Sequence, residues 1–221
     1  MNDTTTRRRS GTSPADRVTR HRLVDRLYHW LMAAAVLTLM ATAFLPILGW
    51  EFQWLDVHWM TGVLLSALVL IHIVRALVWQ DWRNMWIGTA DIAELWRDAR
   101  HVMTARGESV PPGKYSALQK LYHLAVTILI LSIVGSGLLM LLKIDTPLWR
   151  RNPYWFANDT WGIIYAVHGL AAMAMITMLI IHVYFALRPD EWYLTRAMFR
   201  GWISRNEYSK HHDPARWKLD V

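Results

Sequence analysis

Leu121–Leu142 reads LYHLAVTILILSIVGSGLLMLL, twenty-two residues with no Asp, Glu, Lys or Arg among them. Crossing a bilayer core takes about 20 predominantly apolar residues in a helix, so this stretch is long enough and apolar enough to span. Three more stretches of that character lie around it, at about 27–48, 58–80 and 161–187, with the quoted one extending over about 121–143. Pro46 sits near the end of the first, where a helix terminus tolerates it. Arg75 lies near the far end of the second, within snorkelling reach of the headgroups. The fourth is long enough to tilt or to project from the bilayer.

The chain is 221 residues long, with no cysteine, a 54% hydrophobic composition and a formal net charge of +7. The lack of cysteine excludes disulfides, thiolate-held iron–sulfur clusters and covalently attached c-type haem. The basic residues flank the apolar runs, which points to the membrane surface rather than to nucleic acid. The fold expected is an all-α membrane protein, a four-helix transmembrane bundle. Three parts follow: a flexible basic tail over 1–22, a transmembrane domain over 23–187 and a tail over 188–221. The first 22 residues carry Arg7, Arg8 and Arg9 but no apolar stretch and small-residue cleavage site of the kind that makes a removable leader.

Lys and Arg set the orientation. They crowd the N-terminal segment, the 81–120 connection (Arg83, Arg97, Arg100, Arg106, Lys114, Lys120) and the segment after 187. The 49–57 connection has none, and 144–160 has Arg150 and Arg151 alone. The positive-inside rule places both termini and the middle connection in the cytoplasm of a multi-pass protein of the bacterial inner membrane. Trp50, Trp54, Trp59, Trp79, Trp149, Trp155 and Trp161 fall at span ends, as an interfacial aromatic belt requires. Residues 89–106 read as a short amphipathic helix on the cytoplasmic face, between spans two and three. Pro111-Pro112-Gly113 ends that region.

Six of the ten histidines lie in or at the spans: His29, His58, His72, His123, His168 and His182. Ionisable residues at membrane depth mark function by default, and neutral imidazole is a good axial ligand for haem iron. His58 and His72 are fourteen residues apart, and so are His168 and His182. Fourteen residues fall about 40° short of four turns and rise about 21 Å, so each pair shares a helix face and reaches both sides of the core. This suits two haems stacked across the membrane. At the outer level His58 and His168 are the two available ligands. At the inner level His29, His72, His123 and His182 compete; spacing favours His72 with His182, and His29 with His182 stands open beside it. Gly62, Gly135, Gly137 and Gly169 admit either a flat macrocycle or close packing of helices.

Several segments carry a family likeness: Asp25-Arg26-Leu27-Tyr28-His29-Trp30, His58 with Gly62, Gly113-Lys114-Tyr115-Ser116-Ala117-Leu118-Gln119-Lys120, Gly137, the His168/His182 pair, and Lys210-His211-His212-Asp213-Pro214-Ala215-Arg216-Trp217. In this order they resemble the cytochrome b (gamma) subunit of respiratory formate dehydrogenases, within the wider dihaem cytochrome b family of formate dehydrogenases and Ni/Fe-hydrogenases. The likeness covers about residues 20–218. It implies two b-type haems, an outer one on His58 and His168 and an inner one on His29 and His182, with His72 and His123 as additional histidines. It implies electron transfer from a periplasmic iron–sulfur (beta) subunit, itself served by a molybdenum or tungsten catalytic (alpha) subunit, to a membrane quinone on the cytoplasmic side. Formate oxidation would then belong to another subunit, and this chain would hold no catalytic residue for it. The quinone-site candidates are Ser116, Gln119, Lys120 and His123; the family pattern has Asn and Gly where this chain has Ser116 and Leu118. Arg26 and Arg75 are candidate partners of haem propionates, and His211 and His212 would pack under the cytoplasmic mouth. The rival readings are a cytochrome b serving a hydrogenase or sulfur-compound reductase, and a haem-free anchor or a transporter with a histidine relay.

Overall fold

The computed structural model describes residues 16–79, 85–104 and 111–219. Arg7, Arg8, Arg9, Arg83 and Arg106 lie outside the described residues, as does the 1–22 segment up to residue 15. Among the described residues, four helices are long and apolar enough to cross a membrane: Leu23–Leu48, Trp54–Val78, Ala117–Lys143 and Asn158–Leu187. Their α-helical parts are α1 (Leu23–Phe44), α2 (Trp54–Val78), α4 (Ala117–Met140) and α5 (Asn158–Leu187). Between the second and third spans lies α3 (Thr89–Thr104), the amphipathic helix expected there.

Local chemistry sets the ends of these helices. The α1 helix stops at Phe44, and Pro46 opens a short 3-10 turn that carries the segment on to Leu48. The α4 helix starts with a capping box: Ser116 Oγ accepts from Gln119 N–H at 3.2 Å and Gln119 Oε1 accepts from Ser116 N–H at 3.1 Å. Pro189 follows the end of α5, where it cannot continue the ladder. Asp25 in the first turn of α1 and Arg75 in the last turn of α2 suit the helix dipoles, and they pair with each other at 2.6 Å.

The bundle is apolar outside as well as inside. Leu27, Leu31, Leu37, Leu70, Leu77, Leu131, Ile163 and Ile180 are all exposed, which suits lipid rather than water as the surrounding solvent. The buried cluster of Ala35, Leu65, Val69, Ile130 and Met175 is thin and lies midway along the spans. Trp161 departs from the aromatic belt. It is 2% exposed, its Nε1–H donates to Pro153 O at 2.8 Å, and Lys143 Nζ lies 4.8 Å from its ring centre. Trp50, Trp79 and Trp155 are exposed as a belt requires.

A second cluster covers one end of the bundle. Strand β1 (Arg17–Thr19) pairs antiparallel with β2 (Trp202–Ser204), with Val18 opposite Ile203. Helices α6 (Trp192–Arg200) and α7 (Arg205–His211) flank them. Val18, Tyr193, Ala197, Ile203, Tyr208 and Trp217 form its core. Among the described residues this ribbon is the one departure from an all-α chain. Gly201 ends α6 at φ 88°, and a Cβ there would stand 2.9 Å from His21 O, so both backbone conformation and close approach select glycine. Gly113 is closely packed as well, because a Cβ would lie 3.2 Å from Arg216 Cβ and 3.2 Å from Arg216 O.

Candidate functional site

His58 enters one turn into α2, and His168 lies on α5 toward the same end of the bundle, away from the cap. Their ring centres are 6.3 Å apart at 70°. Each ring is held from behind by a hydroxyl on a neighbouring span. Thr42 Oγ1 on α1 lies 2.8 Å from His58 Nδ1, and Ser136 Oγ on α4 lies 3.0 Å from His168 Nδ1. Both hydroxyls also meet carbonyls of their own helix, Thr42 at Thr38 O (2.9 Å) and Ser136 at Ser132 O (2.5 Å). A carbonyl only accepts, so the hydroxyl proton goes there and its lone pair accepts Nδ1–H. That fixes the tautomer and leaves Nε2 without the proton, as a ligand imidazole requires.

The cap end holds four of the span histidines, in two facing pairs. His29 on α1 faces His182 on α5 with ring centres 6.1 Å apart, and His72 on α2 faces His123 on α4 at 6.4 Å. Spacing favoured His72 with His182; the fourteen-residue interval leaves each about 40° off the face of its partner on the same helix, and each meets a different neighbour. Tyr28 stacks on His72 at 5.4 Å, and Tyr122 stacks on His182 at 5.8 Å.

These separations can be compared with the size of a haem centre. Two metal–imidazole bonds of about 2 Å, with about 1.2 Å from each nitrogen to its ring centre, put in-line ligand rings about 6–6.5 Å apart. The three histidine pairs all fall in that interval. Gly137 also serves the site, because a Cβ there would sit 3.2 Å from His168 Cε1. A Cβ at Gly62, Gly135 or Gly169 would meet no protein atom within 4 Å, so packing between helices does not call for glycine there.

The other sequence candidates take structural partners. Ser116 and Gln119 engage each other in the capping box of α4. Lys120 Nζ binds Asp91 of α3 at 2.9 and 3.0 Å, and His123 belongs to the pair with His72. Arg75 pairs with Asp25, and Arg26 donates to Phe199 O across to α6. His211 stacks on Tyr193 at 4.5 Å, and His212 is 3% exposed. His212 Nδ1 lies 2.8 Å from Gly113 O, and Nε2 lies 3.1 Å from Arg20 Nη1. A carbonyl accepts and a guanidinium donates, so His212 stands neutral with its proton on Nδ1. Burial, reinforced by the nearby Arg20 charge, holds its pKa below the ordinary value. Asp213 N–H donates to Pro112 O at 2.9 Å, and Arg216 pairs with Glu94 of α3 at 2.7 Å. The Gly113–Lys120 segment and the 210–217 segment, far apart in sequence, therefore meet in one joint under the bundle.

The sequence expectations assigned no role to Thr42 or Ser136. The available signal was their matching position, since each hydroxyl residue follows a span histidine, His29 or His123, by thirteen residues. Tyr28 and Tyr122 were likewise unassigned, although each immediately precedes a span histidine.

The chain is similar to known proteins over nearly its whole length. The formate dehydrogenase cytochrome b556(fdo) subunit of Escherichia coli (strain K12) is 26% identical over 220 residues, covering 93% of this chain and 94% of the relative. The formate dehydrogenase cytochrome b556 subunit of Haemophilus influenzae is 23% identical over 216 residues, covering 91% and 82%. The prokaryotic cytochrome b561 family matches residues 20–201. That match begins at the foot of the first span and runs past the end of the fourth, and the chain belongs to the prokaryotic cytochrome b561 family.

Proposed function

We propose that this chain is the membrane electron-transfer subunit of a formate dehydrogenase-type complex. It holds b haem on His58 and His168 toward one face of the bilayer and on His29 and His182 toward the other. The observation that carries this reading is the facing of His58 with His168 and of His29 with His182 at 6.3 and 6.1 Å. Haem bound at these positions supplies one-electron transfer, and the protein supplies position and surroundings.

The residues divide that work. His58 and His168 present Nε2 because Thr42 and Ser136 engage their Nδ1 atoms. Ala35, Leu65, Val69, Ile130 and Met175 form an apolar layer between the two histidine levels, which keeps water and protons out of the middle of the bundle. Polar groups gather at the cap end. Ser116, Gln119, Lys120 and His123 stand there as candidates to bind quinone and to pass it protons. The three-part division into 1–22, 23–187 and 188–221 belongs to this proposal, and the described cap residues, from Arg17–Thr19 and from Trp192 to Trp217, fall in its two outer parts.

The relatives are named as subunits of formate dehydrogenase, which supports an iron–sulfur partner and a molybdenum or tungsten partner acting at the far face. The density of Lys and Arg toward the cap end supports a cytoplasmic cap in the inner membrane. A reduced-minus-oxidised spectrum of the purified protein, with haem content per chain, tests the reading. His58→Ala and His168→Ala are each expected to remove the haem at the far face. Absence of b-type bands, or full haem content in both variants, overturns it.

A further inference from the structure

The two helical hairpins α1–α2 and α4–α5 are built alike. Leu27-Tyr28-His29 opens α1 as Leu121-Tyr122-His123 opens α4, and the hydroxyl residue, Thr42 or Ser136, follows thirteen residues after the histidine in each. On α2 and α5 the fourteen-residue pairs His58/His72 and His168/His182 correspond. The contacts repeat with the sequence. Thr42 meets His58 within the first hairpin, and Ser136 meets His168 within the second, at 2.8 and 3.0 Å. Thr42 touches Thr38 O and Leu39 O, and Ser136 touches Ser132 O and Ile133 O, at the same offsets.

The tyrosines repeat as well. Tyr28 OH donates to Leu68 O and Tyr122 OH donates to Met178 O. Each of these carbonyls lies four residues before a histidine, His72 or His182, on whose ring the same tyrosine stacks at 20° or 21°. The two hairpins are thus related by a pseudo-twofold operation that exchanges α1 with α4 and α2 with α5. It exchanges His58 with His168, so their pair maps onto itself. It sends the pair of His29 and His182 onto the pair of His123 and His72, at 6.1 and 6.4 Å.

We propose that His72 and His123 hold a third haem b, in a site equivalent to that of His29 and His182 and at the same end of the bundle. This rests on the reading that facing span histidines here are haem ligands, and it raises the expected content from two haems to three. Among the described residues, His72 Nδ1 is buried without a hydrogen-bond partner. The two inner sites differ in charge. Asp25 and Arg75, paired at 2.6 Å beside His72, correspond to Gln119 and Phe185 beside the other site. The third site therefore has Arg75 one turn from His72, where the other has Phe185 one turn from His182, while Arg26 stands one turn from His29.

The test is haem content per chain on the purified full-length protein by pyridine haemochrome, with low-spin ferric EPR signals counted alongside. Three haems are expected in the native chain. His72→Leu and His123→Leu are each expected to lower the content to two while leaving the other two signals in place. If either variant fails to insert, His123→Gly with added imidazole decides: recovery of the third haem supports the site, and no recovery overturns it. Two haems in the native chain, unaffected by His72→Leu or His123→Leu, overturn the third site, even if those substitutions weaken quinone binding. That outcome leaves the proposed function standing, whereas a chain without haem ends both.

Discussion

Thr42 Oγ1 lies 2.8 Å from His58 Nδ1, and the hydroxyl comes from α1 while the imidazole stands on α2. A bond of this kind orients a ligand imidazole and raises its basicity, and losing it typically costs about 10–100-fold in metal affinity. Thr42→Val and Ser136→Ala are each expected to weaken retention of the far-face haem within that range. Competition with excess apomyoglobin reads this as faster haem loss. Equal loss rates in variant and native protein would mean that the hydroxyls serve packing alone.

Gly62 and Gly137 separate two reasons for glycine. In Gly137→Ala the new Cβ meets His168 Cε1 at 3.2 Å, so the ring must give by a few tenths of an ångström, and the haem proposed on it would shift too. A shifted EPR signal for the far-face haem is expected. In Gly62→Ala the Cβ meets no protein atom within 4 Å, and alanine favours a helix over glycine by about 1 kcal/mol. The haem-free bundle should therefore gain slightly in thermal stability while haem content falls, because the macrocycle would lie against that face. Unchanged haem content in Gly62→Ala would remove this residue from the haem contact.

The cap should loosen in acid. Burial, with Arg20 and Lys114 nearby, pushes the pKa of His21 down to about 4 from an ordinary 6.5. His212 is lowered in the same direction, chiefly by burial. Between about pH 6.5 and 4 the unfolded segment binds protons that the folded cap refuses, so stability falls as pH falls through that window. Hydrogen exchange at the β1–β2 amides, corrected for intrinsic rate, should show weaker protection at pH 5 than at pH 7. His21→Gln should flatten that dependence. An unchanged slope in that variant would mean that His21 does not govern the cap.

The spans, the middle amphipathic helix and the cap-end concentration of charge were legible because each is written in local composition. Pairing among the inner histidines was not. A helical face says which residues lie one above another, but not which neighbouring helix that face meets, so spacing joined His72 to His182 while the structure sets His72 against His123. The repeat of Leu-Tyr-His at 27–29 and 121–123 was in the sequence, and gains its meaning once Tyr28 and Tyr122 are seen on corresponding carbonyls. The ribbon of β1 and β2 was hidden for a different reason. Each strand is three residues long, too short for alternation to register, and its partner lies at the other end of the chain.

Glu94 ties three segments together. Its Oε1 accepts from Ala117 N–H at 3.0 Å, and its Oε2 binds Arg216 at 2.7 Å, while the residue is 4% exposed. Glu94→Ala leaves a buried N–H and a guanidinium without this acceptor, at a cost of about 2–4 kcal/mol. Faster hydrogen exchange at Ala117 and faster trypsin cleavage at Lys218 are expected. Glu94→Gln keeps an oxygen for Ala117 and should restore the first readout more than the second.

Tyr28 and Tyr122 offer a paired comparison. Each hydroxyl donates to the carbonyl that also receives the backbone N–H of a histidine one turn on, His72 or His182. Phenylalanine keeps the stacked ring and removes that hydrogen bond, a change of about 1 kcal/mol. Tyr122→Phe should shift the EPR signal of the haem proposed on His29 and His182 and leave the far-face signal alone. Tyr28→Phe should do the same to a separate signal, that of the haem proposed on His72 and His123. If Tyr122→Phe shifts a signal and Tyr28→Phe shifts none, the pseudo-twofold relation is one of architecture without a matching cofactor. If each variant moves its own signal, the hairpin repeat extends to the haems themselves.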